Sequence, residues 1–256
     1  MKKYFLLVIA AIVFLSSCRK EEPNVIYPIN YYSGSDISQI PDGGTGYISN
    51  VDMSGQGNMV NVGNTTVIIS GNVKMDALTV NSKVVVTEGA VLTLNNQIQV
   101  SGGAELIVLG KVVTPVLTQN SSLYLDGGEI TVTNKYTISG GATLYIQNSV
   151  VHVDQMVVIG GIQAIQNSYT ESTNVYSVIE SIGTKYLNRA GGTVVCGPVL
   201  FTNNNDQGAS GASQTDVTSS VLSSKPNIRT LYNLSAGSVF YKYSDVCTPL
   251  MVFPEY

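Results

Sequence analysis

Six carboxylates and one imidazole are the groups in the middle of this chain that could carry acid–base chemistry: Asp76, Glu88, Glu105, Asp126, Glu129, Asp154 and His152. His152 is the single histidine of 256 residues and sits in Val150-Val-His-Val153. Alternation places it opposite Val151 and Val153, toward solvent, and Asp154 two residues on could share its face. No spacing fixes a partner that would make it a base. Asp126 and Glu129 straddle Gly127-Gly128, the arrangement closest to a glycoside-hydrolase pair or a cation site. There is no Cys/His zinc spacing, no phosphate-cradling Gly loop followed by Lys, and no nucleophile elbow. Asp42-Gly-Gly-Thr-Gly46 is a single string lacking the next Asp of a calcium repeat. The expectation is a protein that is not an enzyme, with no metal site and no cofactor.

The aromatic residues point elsewhere. Tyr occurs 15 times and Trp never. Tyr124 and Tyr145 hold equivalent places in Leu123-Tyr-Leu125 and Leu144-Tyr-Ile146, each opposite an inward apolar pair. On adjacent coils they would stack about 4.8 Å apart. Two readings stand: an outward ledge for a sugar or peptide, or cross-strand pairing that stabilises the sheet.

The elements that must position these groups are short strands. Val67-Ile-Ile69, Val73-Lys-Met75, Leu78-Thr-Val80 and Val84-Val-Val86 open a series that runs to Met156-Val-Val158, with Gly, Asn or Ser between the pieces. Grouped in threes, the groups start near Val67, Val84, Leu106, Leu123, Leu144 and Ile162, at spacings of 17, 22, 17, 21 and 18. Three strands per turn at a period of roughly 20 residues suit a coiled stack. The phrase Gly-Ala-x-Leu recurs at Gly89, Gly103 and Gly141, with Gly for a tight corner and Leu for the core. Pro115 belongs at a corner or strand end, because it has no N–H for a ladder. An antiparallel sandwich is the competitor, but Asn-Gly and Asp-Gly hairpin pairs are nearly absent. The fold expected is all-β, a right-handed parallel β-helix of five to six coils of roughly 20 residues with a C-terminal β cap.

Charged residues make up 12% of the chain and the net charge is −4. Arg occurs only at Arg19, Arg189 and Arg229, so no basic patch exists to neutralise phosphates, and nucleic acid is excluded as a partner. The cysteines are Cys18, Cys196 and Cys247. The last two form one even pair, read either as a disulfide or as two separate buried thiols.

Met1-Lys-Lys is a positive n-region and residues 4–15 are apolar, too short for the roughly 20 residues that span a bilayer. Leu15-Ser16-Ser17-Cys18 follows, and it resembles the lipobox of bacterial lipoproteins. That resemblance implies cleavage between Ser17 and Cys18 and a diacylglyceryl thioether with further acylation on Cys18, anchoring the chain to a membrane. Lys20-Glu21-Glu22 resembles the surface-export tract of Bacteroidetes lipoproteins; its alternative is a plain charged tether. The stack with a lipid anchor is similar in architecture to adhesin-like repeats of bacterial surface proteins. Many polysaccharide lyases share it too, with acidic metal ligands and a basic catalytic residue on one face; here the chain has no Arg between Arg19 and Arg189.

The organisation expected is a signal peptide over 1–17, a tether and entry segment over 18–46, a solenoid over 47–187 and a C-terminal cap or small β-subdomain over 188–256. The function expected is a non-catalytic lipoprotein, outer-membrane anchored and surface exposed. It would bind a glycan or protein, or serve as an accessory subunit of an envelope complex. The alternatives are a polysaccharide-active enzyme and a periplasm-facing lipoprotein subunit.

Overall fold

Alternating residues bury one side of each short strand, and a chain of such strands can hide that side only by coiling on itself. The computed structural model describes residues 31–159 and, beyond them, the strands Ile165–Asn167, Ser177–Ser181, Lys185–Leu187, Val195–Cys196, Pro198–Thr202, Thr215–Asp216 and Val239–Lys242. The described residues are nearly all parallel β-sheet, wound into a β-solenoid of about six turns. Each coil contributes one strand to each of three faces.

The first face carries the column Val67, Val84, Leu106, Leu123, Leu144 and Ile165, in register from coil to coil. Five of these are the expected group starts. The sixth is a correction: the partner of Leu144 is Ile165, not Ile162, which lies outside the described residues. In Ile162-Gln-Ala-Ile165 either Ile could open a strand, and only the hydrogen-bonded ladder chooses between them. The second face stacks Val51, Val73, Leu92, Val112, Ile130, Val151 and Ile179. The third stacks Met59, Leu78, Ile98, Leu117, Tyr136 and Met156. Most of these side chains are fully buried, in one continuous core.

The corners follow the Gly and Asn residues. Between the first and second faces the chain turns through a left-handed residue: Asn50 at φ 48°, Gly71 at 58°, Gly127 at 65° and Asn148 at 48°. Gly and Asn are the residues that adopt this conformation at least cost. The Gly-Ala-x-Leu phrase forms tight turns, in which the N–H groups of Ala90, Ala104 and Ala142 donate to the carbonyls of Thr87, Ser101 and Ser139. Leu92, Leu106 and Leu144 then point into the core. At Gly110 a side chain would strike the carbonyls of Thr87 and Ala90, so this corner needs the absence of a Cβ. Pro115 sits where the ladder shifts between Thr114 and Val116, at the turn from second to third face.

Both ends of the described stack carry extra strands. Tyr31–Ser33 pairs in parallel with residues 45–47, and a 3₁₀ turn at Ile37–Gln39, capped by Asp36, covers the first coil. Gly46 occupies the core column where later coils place Val67 and Val84. The side chain of Ile40 fills the space a Cβ there would take, so the cap closes the open end with Ile37 and Ile40. At the other end Pro198–Thr202 continues the parallel stack on Ser177–Ser181 and pairs antiparallel with Val239–Lys242.

A polar network around Gln119 lies inside the coil. Gln119 and Tyr136 are both fully buried. The Gln119 amide nitrogen donates to the carbonyls of Ser121 at 2.7 Å and Thr143 at 2.8 Å. Carbonyls only accept, so the amide is oriented, and its oxygen accepts from the Tyr136 hydroxyl at 2.5 Å. Three successive coils are tied together at this point.

Candidate functional site

The outward residues of the first face are the most unusual surface of the molecule. Strand alternation turns out Tyr47, Ile68, Val85, Ile107, Tyr124 and Tyr145, all in one register column. The matching column of the third face is mostly short and polar: Val60, Thr79, Gln99, Thr118, Thr137 and Val157. Tyr124 and Tyr145 stack with ring centroids 4.7 Å apart and planes 8° from parallel. Both are half-buried, and burial chiefly raises the Tyr124 phenol above its ordinary value. Each ring gives one face to the other, and Tyr124 has Ile107 as its other neighbour in the column. Tyr124 therefore presents its ring edge and hydroxyl outward.

The carboxylates are tied into contacts between coils. Glu129 pairs with Lys111 of the coil before at 2.7 Å, and Glu105 with Lys83 at 3.7 Å. Asp126 accepts from the Gln147 amide of the next coil at 3.3 Å. Partial burial pushes the Asp126 carboxyl above its ordinary value, against the Gln147 bond. Burial would raise Glu129 too, but the Lys111 bond and charge, with the charge of His152, bring it below its ordinary value. His152 is half-buried on the second face, in register with Thr131, and is not without a partner. Asp154 lies in the same strand span, Val150–Val158, at the ladder shift between Val153 and Gln155.

Asp76, one of the six candidate carboxylates, is held by three hydrogen bonds from the coils on either side. Its Oδ2 accepts from the N–H groups of Gly55 at 2.7 Å and Gly57 at 3.1 Å, and its Oδ1 from Asn95 at 2.9 Å. The Asn95 bond, then the Gly57 N–H, hold it below the ordinary carboxylate value. The corner asparagines behave likewise: Asn50 accepts from the Asn72 N–H at 3.1 Å, and Asn61 from the Asn81 N–H at 2.7 Å. Each caps the next corner. Among the described residues no group of three or more His, Cys, Asp or Glu is placed to hold a metal ion.

Ser17, Cys18, Lys20, Glu21, Glu22 and Cys247 lie outside the described residues. Cys196 is in a strand whose backbone pairs with Ile165–Asn167. The outward Val85 and Ile107 and the buried Gln119 were also missed by sequence reasoning. Val85 and Ile107 sit in all-apolar runs that blur the alternation, whereas Gln119 is a polar residue at an inward position. No protein-family model, curated protein or solved structure matches this chain.

Proposed function

We propose that this protein is a lipid-anchored, non-catalytic module of the bacterial cell surface, an elongated scaffold that presents one face to a protein or glycan. The observation that carries the reading is how the carboxylates are used. Asp76, Glu105, Asp126 and Glu129 each bond a neighbouring coil, so they brace the stack and do not converge on a common point. Leu15-Ser-Ser-Cys18 supplies the anchor and Lys20-Glu-Glu22 the outward address. Several acyl chains hold a protein to a membrane stably, since each buried CH₂ contributes about 0.8 kcal/mol. The partner face is the tyrosine-bearing first face, where edges and hydroxyls suit a polar, partly apolar ligand. Affinity capture of the tagged, lipidated protein from detergent-solubilised envelopes tests this. A stoichiometric envelope protein makes it a complex subunit. Glycan binding that is lost on Tyr145→Ala makes it a glycan adhesin. Neither result, across proteins and glycans, overturns the binding role. Proteolysis of intact cells tests the address, and full protection until lysis moves the protein to the periplasmic side.

A second reading is a glycan-active enzyme, favoured by one observation. Asp126 and Glu129 flank a two-residue corner with carboxyls shifted in opposite directions, as an acid and a base would be. Turnover of a polysaccharide that disappears in both Asp126→Asn and Glu129→Gln would establish it.

A further inference from the structure

Asp126 is held less fully than the carboxylates around it. Glu105 and Glu129 each pair with a lysine of the coil before, and Asp76 takes three hydrogen bonds. Among the described residues Asp126 has no cation partner, and its bond from the Gln147 amide engages Oδ1 alone. Its charge is half-buried, and that one bond does not offset the cost of desolvation. The carboxyl therefore stands above its ordinary value, whereas Asp36, Asp52, Asp76 and Glu129 stand below theirs.

The surroundings of Asp126 are in register. Alternation turns Tyr124 and Asp126 of Ser122–Asp126 outward on the first face, and Tyr145 and Gln147 of Leu144–Gln147 with them. The ladder sets Tyr124 beside Tyr145 and Asp126 beside Gln147. The four residues make a patch roughly 6.6 Å along the strands and about 4.8 Å across them, the footprint of one sugar ring. Both rows run into left-handed corners, at Gly127 and Asn148, and the Gly127 N–H donates to the Gln147 carbonyl at 3.0 Å. The backbone under the patch is thus fixed.

We propose that Asp126 is the specificity-determining residue of a subsite for one neutral sugar, in which two adjacent sugar hydroxyls donate to its carboxylate beside Gln147 and Tyr145. The inference rests on the glycan branch of the binding role proposed above. Three features choose the ligand. A carboxylate offers two acceptor oxygens, and neighbouring hydroxyls of a sugar ring offer two donors. The amide and the phenol both donate and accept, as sugar hydroxyls do, and the stacked rings give an apolar wall for the C–H bonds of the sugar. The charge of Asp126 repels uronate, sulfate and phosphate groups. It gives a basic peptide a single contact, because Glu105 and Glu129 already hold lysines.

The test titrates the full chain, in detergent, with a neutral mannan, a neutral galactan, a neutral glucan, polygalacturonate and polylysine. The parent is expected to bind a neutral polymer and to bind polygalacturonate and polylysine far more weakly. Asp126→Asn keeps an acceptor for the Gln147 amide. It should weaken neutral binding about ten-fold, since hydrogen bonds to a charged acceptor are roughly twice as strong as neutral ones. It should also narrow the gap to polygalacturonate. Asp126→Glu keeps the charge but displaces it, and should lose neutral binding while still rejecting polygalacturonate. Asp52→Asn, which removes an exposed charge from the second face, should change neither. Neutral binding that is lost in Tyr145→Ala but unchanged in both Asp126 variants overturns this inference and leaves the tyrosine face as the binding surface. Equal or tighter binding of polygalacturonate or polylysine by the parent also overturns it. So does binding of no neutral polymer, after which the envelope capture decides separately whether the face holds a protein.

Discussion

Removing the hydroxyl of Tyr136 interrogates a buried polar link between coils with a change of a single atom. Tyr136→Phe keeps the ring in its place in the core and leaves the Gln119 amide oxygen, fully buried, without its donor. An orphaned buried acceptor costs about 1–3 kcal/mol. Gln119→Leu should cost more. It strands the Tyr136 hydroxyl and the Ser121 carbonyl, whereas the Thr143 carbonyl keeps the Leu123 N–H as a second donor. Two orphaned groups at that rate amount to about 2–6 kcal/mol. On top of Tyr136→Phe, the same Gln119→Leu step should cost less than it does alone, because the hydroxyl is already gone. A double-mutant cycle in urea denaturation, with slopes compared to confirm the same transition, measures all three terms. The reasoning would be refuted by Tyr136→Phe lying within about 0.5 kcal/mol of the parent, the range of an inconsequential surface change. It would also be refuted by Gln119→Leu costing no more than Tyr136→Phe.

Further outcomes are expected, from the geometry for Gly127, Gly110 and Asp76 and from the proposed lipidation for Cys18. Gly127→Ala should cost about 1–2 kcal/mol, since its left-handed corner opens to free space and only backbone strain is added. Gly110→Ala should cost clearly more, because a Cβ there meets two backbone carbonyls that cannot swing aside; thermal unfolding of the two variants gives the order. Asp76 has its folded pKa held down, so its stabilising contribution is present above its unfolded pKa of about 4 and is lost as pH falls through the lower folded value. Denaturation midpoints at pH 7, 4 and 3 should fall more steeply for the parent than for Asp76→Asn, and parallel curves would exclude this role. Cys18→Ser should abolish incorporation of labelled palmitate and release the protein from the membrane fraction; continued labelling would place the lipid elsewhere.

The coil period was legible because each core column repeats a short apolar strand at almost the same interval. Val67, Val84, Leu106, Leu123 and Leu144 are chosen by alternation alone, and hydrogen bonding joins those same residues. Corners were legible for a related reason, since only Gly and Asn turn left-handed cheaply, as Gly127 and Asn148 do. The stacked pair Tyr124 and Tyr145 was legible because both sit between inward residues at equivalent places. The bonding of Asp76 was not, because its partners Gly55, Gly57 and Asn95 come from the coils on either side, and one strand's pattern carries no information about them. The stripe through Val85 and Ile107 was hidden in plain runs, Val84-Val-Val86 and Leu106-Ile-Val108, where every residue is apolar and alternation loses its contrast. Gln119 was hidden by the opposite effect, a polar residue whose strand position, two after Leu117, sends it inward.

The direction of the ladders has a mechanical consequence. In all three faces the backbone bonds run from one coil to the next, along the axis of the stack. A pull on the two ends loads them in tension, so they open a few at a time like a zip, unlike strands sheared lengthwise past each other. Each coil that peels away frees one repeat of chain, roughly 20 residues or about 70 Å when extended. A stack built this way lengthens in small, evenly sized steps under load, and it yields from whichever end is less firmly closed.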